Sequence, residues 1–248
     1  MALACPDYVK QAGVIGVPPA YAWNNDVALK LYAAKDQNAR LYRAVDASSF
    51  KAKMSTLAIV TEWIICRFEG LADLTDAKLR VEAAWAAAIH PAYAKSLGFK
   101  MTKDPNFHNA APVEGPVEIA LAVLGRGHDR YTAGSIYLAE MVVKQAVLAR
   151  YLMPGPKAFD AWLSDALKRA AALFPRTTEY DTSTGIYDAT AEKPVPREFF
   201  DTAFQWSEAA AAKAIRDFLA TLHPQSNPYL RSPDEMTAAG FPGKPYSF

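Results

Sequence analysis

Only two cysteines, Cys5 and Cys66, occur in 248 residues, too few for a disulfide framework or a zinc cluster. Cys66 closes the apolar run Trp63–Cys66 and reads as a core thiol. An excess of one charge is also missing, with Lys plus Arg at 27 against 26 for Asp plus Glu. A chain so close to neutral has no long-range field to recruit a polyanion, which argues against nucleic acid as a partner. Apolar runs such as Leu57–Val60 and Trp63–Cys66 fall far below the ~20 residues that a membrane-spanning helix needs.

Motifs that would announce a known chemistry are lacking too. The chain has no phosphate-cradling G-x-x-x-x-G-K-[ST], no dinucleotide-binding glycine fingerprint, no G-x-S-x-G elbow and no H-E-x-x-H. It has no E-x-x-H pair of the di-iron bundle kind, and no internal repeat of roughly 20 to 50 residues. No cofactor is named by any of these patterns. No long strand signal occurs either, so a central sheet is not expected.

What is present is helical periodicity over a composition that is 51% hydrophobic, long enough to bury a sizeable core in one domain. The spacing predicts helices near 25–45, 49–69, 75–90, 116–124, 130–152, 157–174 and 197–222, with an N-terminal arm over 1–23 and an extended tail over 224–248. The stretches 49–69 and 130–152 are apolar most of the way round, which predicts buried central helices sheathed by the others. An all-α fold of about seven helices follows. The segment 157–174, with Phe159, Trp162, Leu163, Ala166 and Leu167 on one stripe, is the cleanest amphipathic pattern. Between Arg176 and Val195 the character changes, and β-formers around Gly185 predict a small β-hairpin near 178–190.

Some polar residues stand out against this background. Glu62 lies inside an apolar run, where its ionised form is disfavoured unless paired, so it is expected to face a groove or to pair with a nearby Lys or Arg. His90 precedes Pro91 and reads as a last-turn residue whose partly charged imidazole favours a helix C-terminus. The irregular stretch 98–115 is of a length more often functional than accidental.

The sharpest expectation concerns the segment Gly125–Arg130. Its two glycines suggest a tight corner, with the next helix opening its free N–H groups toward Arg126, His128 and Arg130. With His108 from the preceding loop, these residues would form a recess for a small anion. Tyr180, Asp181, Tyr187 and Asp188 make the second candidate, a projecting surface for a protein partner. The function expected is therefore binding, of a protein partner or a small anionic ligand.

The pair His128–Asp129 also resembles the dyad of the HD phosphohydrolases, all-α enzymes that hold metal through His and Asp for phosphoester hydrolysis. The resemblance covers those two adjacent residues, and a helical hydrolase with a site over 98–130 is the alternative it implies. That family needs a further His upstream, for which His90 or His108 would serve, and an Asp downstream, such as Asp160 or Asp165. The glycine corner departs from its pattern. A cytoplasmic location is expected because no basic start or apolar h-region precedes Ala2-Leu3-Ala4. Ala2-Leu3-Ala4 resembles the end of a secretory signal, so export is the alternative if a leader was removed before Cys5.

Overall fold

The structure is a computed structural model and describes residues 3–32, 38–98, 111–176 and 187–248. In chain order its helices are α1 (Asp7–Gln11), α2 (Asn25–Tyr32), α3 (Ala39–Asp46), α4 (Phe50–Arg67), α5 (Thr75–Ile89), α6 (Glu114–Thr132), α7 (Leu138–Leu152), α8 (Lys157–Leu173), α9 (Glu208–Thr221) and α10 (Pro233–Ala238). Short 3-10 turns occupy Pro91–Tyr93 and Arg197–Phe200. No strand occurs among the described residues, so the fold is all-α. No helix among them is long and apolar enough to cross a membrane.

The architecture is organised around α4, every residue of which is buried, with α5, α6 and α7 packed about it. Its start is fixed twice over. Ser49 Oγ accepts from Ala52 N at 3.3 Å, and the distant Glu192 carboxylate accepts from Phe50 N and Lys51 N at 3.0 and 2.7 Å. Side-chain and carboxylate acceptors there satisfy helix N–H groups that have no intrahelical partner. Two of the charged residues of α4 are ion-paired, while Lys51 and Arg67 donate to backbone carbonyls. Lys53 bonds Asp46 at 2.9 Å, and Glu62 forms an ion pair with Arg197. Gln145 of α7 donates to Thr61 Oγ1 and Ala120 O at 2.9 and 3.3 Å, tying α7, α4 and α6 together. One contiguous cluster of buried apolar side chains runs from Cys5 to Met236.

The expected corner at Gly125–Arg130 is helix: α6 runs straight through it. Its glycines serve close packing. A Cβ at Gly127 would lie 2.1 Å from Leu57 Cδ2 of α4, and one at Gly125 would lie 2.7 Å from the Leu97 carbonyl oxygen. The true corner comes later, where Gly134 takes a φ of 63° between α6 and α7, a conformation glycine adopts without strain. The buried helix expected from residue 130 therefore begins at Leu138.

The long helix expected over 197–222 is also broken. Asp201 Oδ1 accepts from Ala203 N at 2.8 Å to turn the chain, and Ser207 Oγ caps α9 through Ala210 N at 3.0 Å. Local side-chain bonds of this kind compete with helix continuation. Residues 25–45 hold α2 and α3 on either side of 33–37, and the hairpin expected near 178–190 falls mostly on residues 177–186; both intervals lie outside the described residues. Residues 187–190 form no strand.

The reading of Cys66 as a core thiol is corrected. It is bonded to Cys5, with Cα atoms 5.7 Å apart and a sequence separation of 61. The N-terminal arm returns along α4 and places Cys5 at the C-terminal end of that helix, a juxtaposition that sequence spacing does not encode. Closing a loop of that length lowers unfolded-state entropy by an amount worth about 4 kcal/mol.

Candidate ligand-binding cleft

α6 carries His128, Tyr131 and Thr132 at i, i+3 and i+4, so one helical face presents all three. Two irregular segments wall this face. The first follows α5, where Pro91 ends the helix and His90 turns to extended backbone. His90 Nδ1 accepts from Ala92 N at 3.1 Å, which leaves Nε2 as the protonated nitrogen. Burial and the nearby Lys51 lower the His90 pKa. It is thus a neutral donor, and the partly charged helix-terminal role expected of it does not hold.

The second wall is 187–192. Tyr187 N donates to Gly134 O at 2.8 Å, and a Cβ at Gly134 would meet Tyr187 O at 2.2 Å, so the glycine lets the segment cross the α6–α7 corner. Tyr187 then packs on Phe50 at 5.4 Å, and Phe50 stacks on Tyr131 at 5.8 Å. Lys51 Nζ donates to Thr190 O and Glu192 O at 3.2 and 2.8 Å, pinning the wall to the start of α4. Desolvation pulls the Lys51 pKa down to about 8. The Asp188 carboxyl is held below its ordinary value, chiefly by the N–H of Thr190 at 2.8 Å. Arg231 completes the enclosure; its NH1 donates to Ala92 O at 3.3 Å and its backbone N to Tyr93 O at 2.9 Å.

The cleft so formed has a volume of about 470 Å³, within the usual range for small-molecule sites. At its floor His128 is 3% exposed, and neither ring nitrogen has a partner among the described residues. The Tyr131 hydroxyl beside it is likewise buried and without a partner there. Burial, aided by the Arg231 cation, lowers the His128 pKa to about 4, so the ring is neutral near pH 7. Burial raises the Tyr131 pKa well above the usual range. Two neutral groups able to donate and accept thus lie buried in residues that line the cleft, with the Arg231 cation close by. An unsatisfied buried polar group costs about 1–3 kcal/mol, a penalty that a hydrogen-bonding ligand relieves.

Neither a protein-family model, nor a curated protein, nor a solved structure matches the chain.

The expected site residues divide in two. His128, Tyr187 and Asp188 line the same cleft, although sequence reading had placed them in separate sites. Arg126 and Arg130 do not line it. Four residues apart on α6, they share a face turned roughly 160° from His128, where Arg130 lies over the Tyr137 ring at 5.5 Å. The helix N-terminus expected to attract an anion is also misplaced, because His128 lies near the C-terminal end of α6. His108, Tyr180 and Asp181 lie outside the described residues.

Tyr131, Thr190 and Arg231 line the cleft and had no distinguishing sequence signal, save that Tyr131 shares the His128 face once the helix is continued through the glycines; His90, which the sequence marked as a helix-terminal residue, lines it too. The metal set suggested by the HD resemblance is not assembled among the described residues, which exclude His108. No group of three or more His, Cys, Asp or Glu converges among the described residues. Asp160 and Asp165 are instead bonded to Arg150 and Arg169 at 3.0 and 2.8 Å.

Proposed function

We propose that the protein binds a small organic anion in the cleft over α6. The observation carrying this reading is the buried, unpartnered imidazole of His128 beside the unpartnered hydroxyl of Tyr131. Both groups can donate to a carboxylate or phosphate oxygen, and Arg231 supplies a charge at the same end. Tyr187 is half-buried against Phe50, which favours a wall of this cleft over a projecting surface for a protein partner. The contiguous core from Cys5 to Met236 supports reading the chain as one domain.

The test is nuclear magnetic resonance of the histidine side chains during titration with inorganic phosphate and, separately, acetate. Saturable shifts of the His128 ring signals, absent in Tyr131→Phe or reduced by Arg231→Gln, are the expected result. His128 signals unmoved by millimolar amounts of either anion would remove the proposal.

The Cys5–Cys66 bond favours an oxidising compartment, hence export, over the cytoplasmic location expected from the N-terminal sequence. Thiol titration of protein denatured without reductant should find no free cysteine. Two reactive thiols in protein isolated from its native compartment would restore the cytoplasmic reading.

A further inference from the structure

A second concavity, unrelated to the His128 cleft, runs between α3, α7 and α8 with a volume of about 600 Å³. Its lining is mostly aliphatic: Leu41 and Ala44 from α3, Val147 from α7, Leu163 and Leu167 from α8. Ala44, Ala47 and Ala171 are too small to fill the space along this line, so the trough stays open. Its charges are unbalanced. Arg150 holds Asp160 through both carboxylate oxygens at 3.0 Å each, which cancels that pair. Arg40 on the α3 bank and Lys168 on the α8 bank remain, neither with an ion pair or side-chain hydrogen bond to a described residue.

An aliphatic trough with two unmatched cations at its rim selects for a molecule with the same division. We propose that this groove binds a long-chain carboxylate, the alkyl chain lying along Leu41, Val147, Leu163 and Leu167 and the head group reaching Arg40 and Lys168. The chain gains from leaving water, while the carboxylate stays at the solvent edge, where two cations meet it without being buried. A cationic or neutral amphiphile of equal length would gain only the first of these. A second protein copy presenting an apolar helix is the competing occupant, and it would have to bring carboxylates to the same two positions.

Calorimetric titration with octanoate, decanoate and dodecanoate, each below its micelle concentration, tests this directly. Saturable one-to-one binding is expected, tightening by up to about fourfold for each added methylene. Dodecyltrimethylammonium should bind about tenfold more weakly than dodecanoate, and the double variant Arg40→Glu/Lys168→Glu should reverse that order. Ala44→Trp fills the trough from an exposed position, so the protein should fold as before and lose dodecanoate. Absence of saturable dodecanoate binding would overturn the proposal, as would equal affinity for the cationic amphiphile or unchanged uptake by Ala44→Trp. A dimer that Ala44→Trp dissociates, in protein that takes up no dodecanoate, would overturn it in favour of a second copy. Because the charged rim positions are exposed, the reversal experiment remains informative even if the tryptophan variant misfolds.

Discussion

Replacing Arg197 with Met strips the counter-charge from a carboxylate that is almost wholly buried. Glu62 lies in α4 at 2% exposure. Its oxygens accept from Arg197 Nε at 3.0 Å, from a second guanidinium nitrogen, and from Trp85 Nε1 at 3.1 Å. Burial pushes the Glu62 carboxyl above its ordinary value, and Arg197 is the main influence drawing it back. Met keeps much of the length of Arg without its charge, so Arg197→Met leaves burial nearly unopposed.

Breaking a buried pair from one side costs about 3–5 kcal/mol, a large part of the ~5–15 kcal/mol that holds a typical native state. The loss should depend on pH in a definite direction. With its folded pKa raised above the unfolded value of about 4.3, Glu62 retains a proton in the native state that the unfolded chain has released. Stability is then greatest at low pH and falls as pH rises through the folded pKa, by up to ~1.4 kcal/mol per unit. Urea unfolding at several values between about pH 5 and pH 8 measures this slope against the parent protein. Adding Glu62→Gln should flatten the slope and recover part of the loss, since the amide oxygen can still accept from Trp85. An Arg197→Met protein with the parent's pH slope, destabilised by less than about 1 kcal/mol, would refute the reasoning.

Acid sensitivity should trace in part to His128, whose pKa of about 4 lies below the unfolded value near 6.5. Its contribution is intact above about pH 6.5 and is lost as pH falls toward 4, roughly 3 kcal/mol in all, so His128→Gln should move the acid-unfolding midpoint to lower pH. Gly125→Ala raises helix propensity by about 1 kcal/mol but drives a Cβ to 2.7 Å from the Leu97 carbonyl. Overpacking of that kind costs about 1–3 kcal/mol, so Tm should fall; a rise would show that 97–98 is not held against α6. Ile64→Asp and Val143→Asp place a carboxylate at positions with no exposure, and each should prevent folding. Soluble, native-like circular dichroism from both would mean that the core lies elsewhere.

By itself the sequence determined that the fold is helical, and where most helices stop. That information is local: Pro91 follows α5, Pro175 follows α8, Ser49 precedes α4, and apolar residues recur with the helical period between them. It also marked Glu62 as a carboxylate needing a groove or a cation, and His128 as a candidate ligand group, though in company with Arg126 and Arg130. Tertiary structure decided what local signals leave open. Gly125 and Gly127 read as a corner because a glycine pair fits one, yet they are helical because Leu97 and Leu57 approach too closely for any side chain. Continuing the helix turned Arg126 and Arg130 away from His128 and brought Tyr131 beside it. The partners of Cys66 and Glu62 come from Cys5 and Arg197, and the cleft that His128 lines is walled by His90, Asp188 and Arg231. A helical period reports which face of a segment is buried; it cannot report which distant segment covers that face, and the cleft exists only where such segments meet.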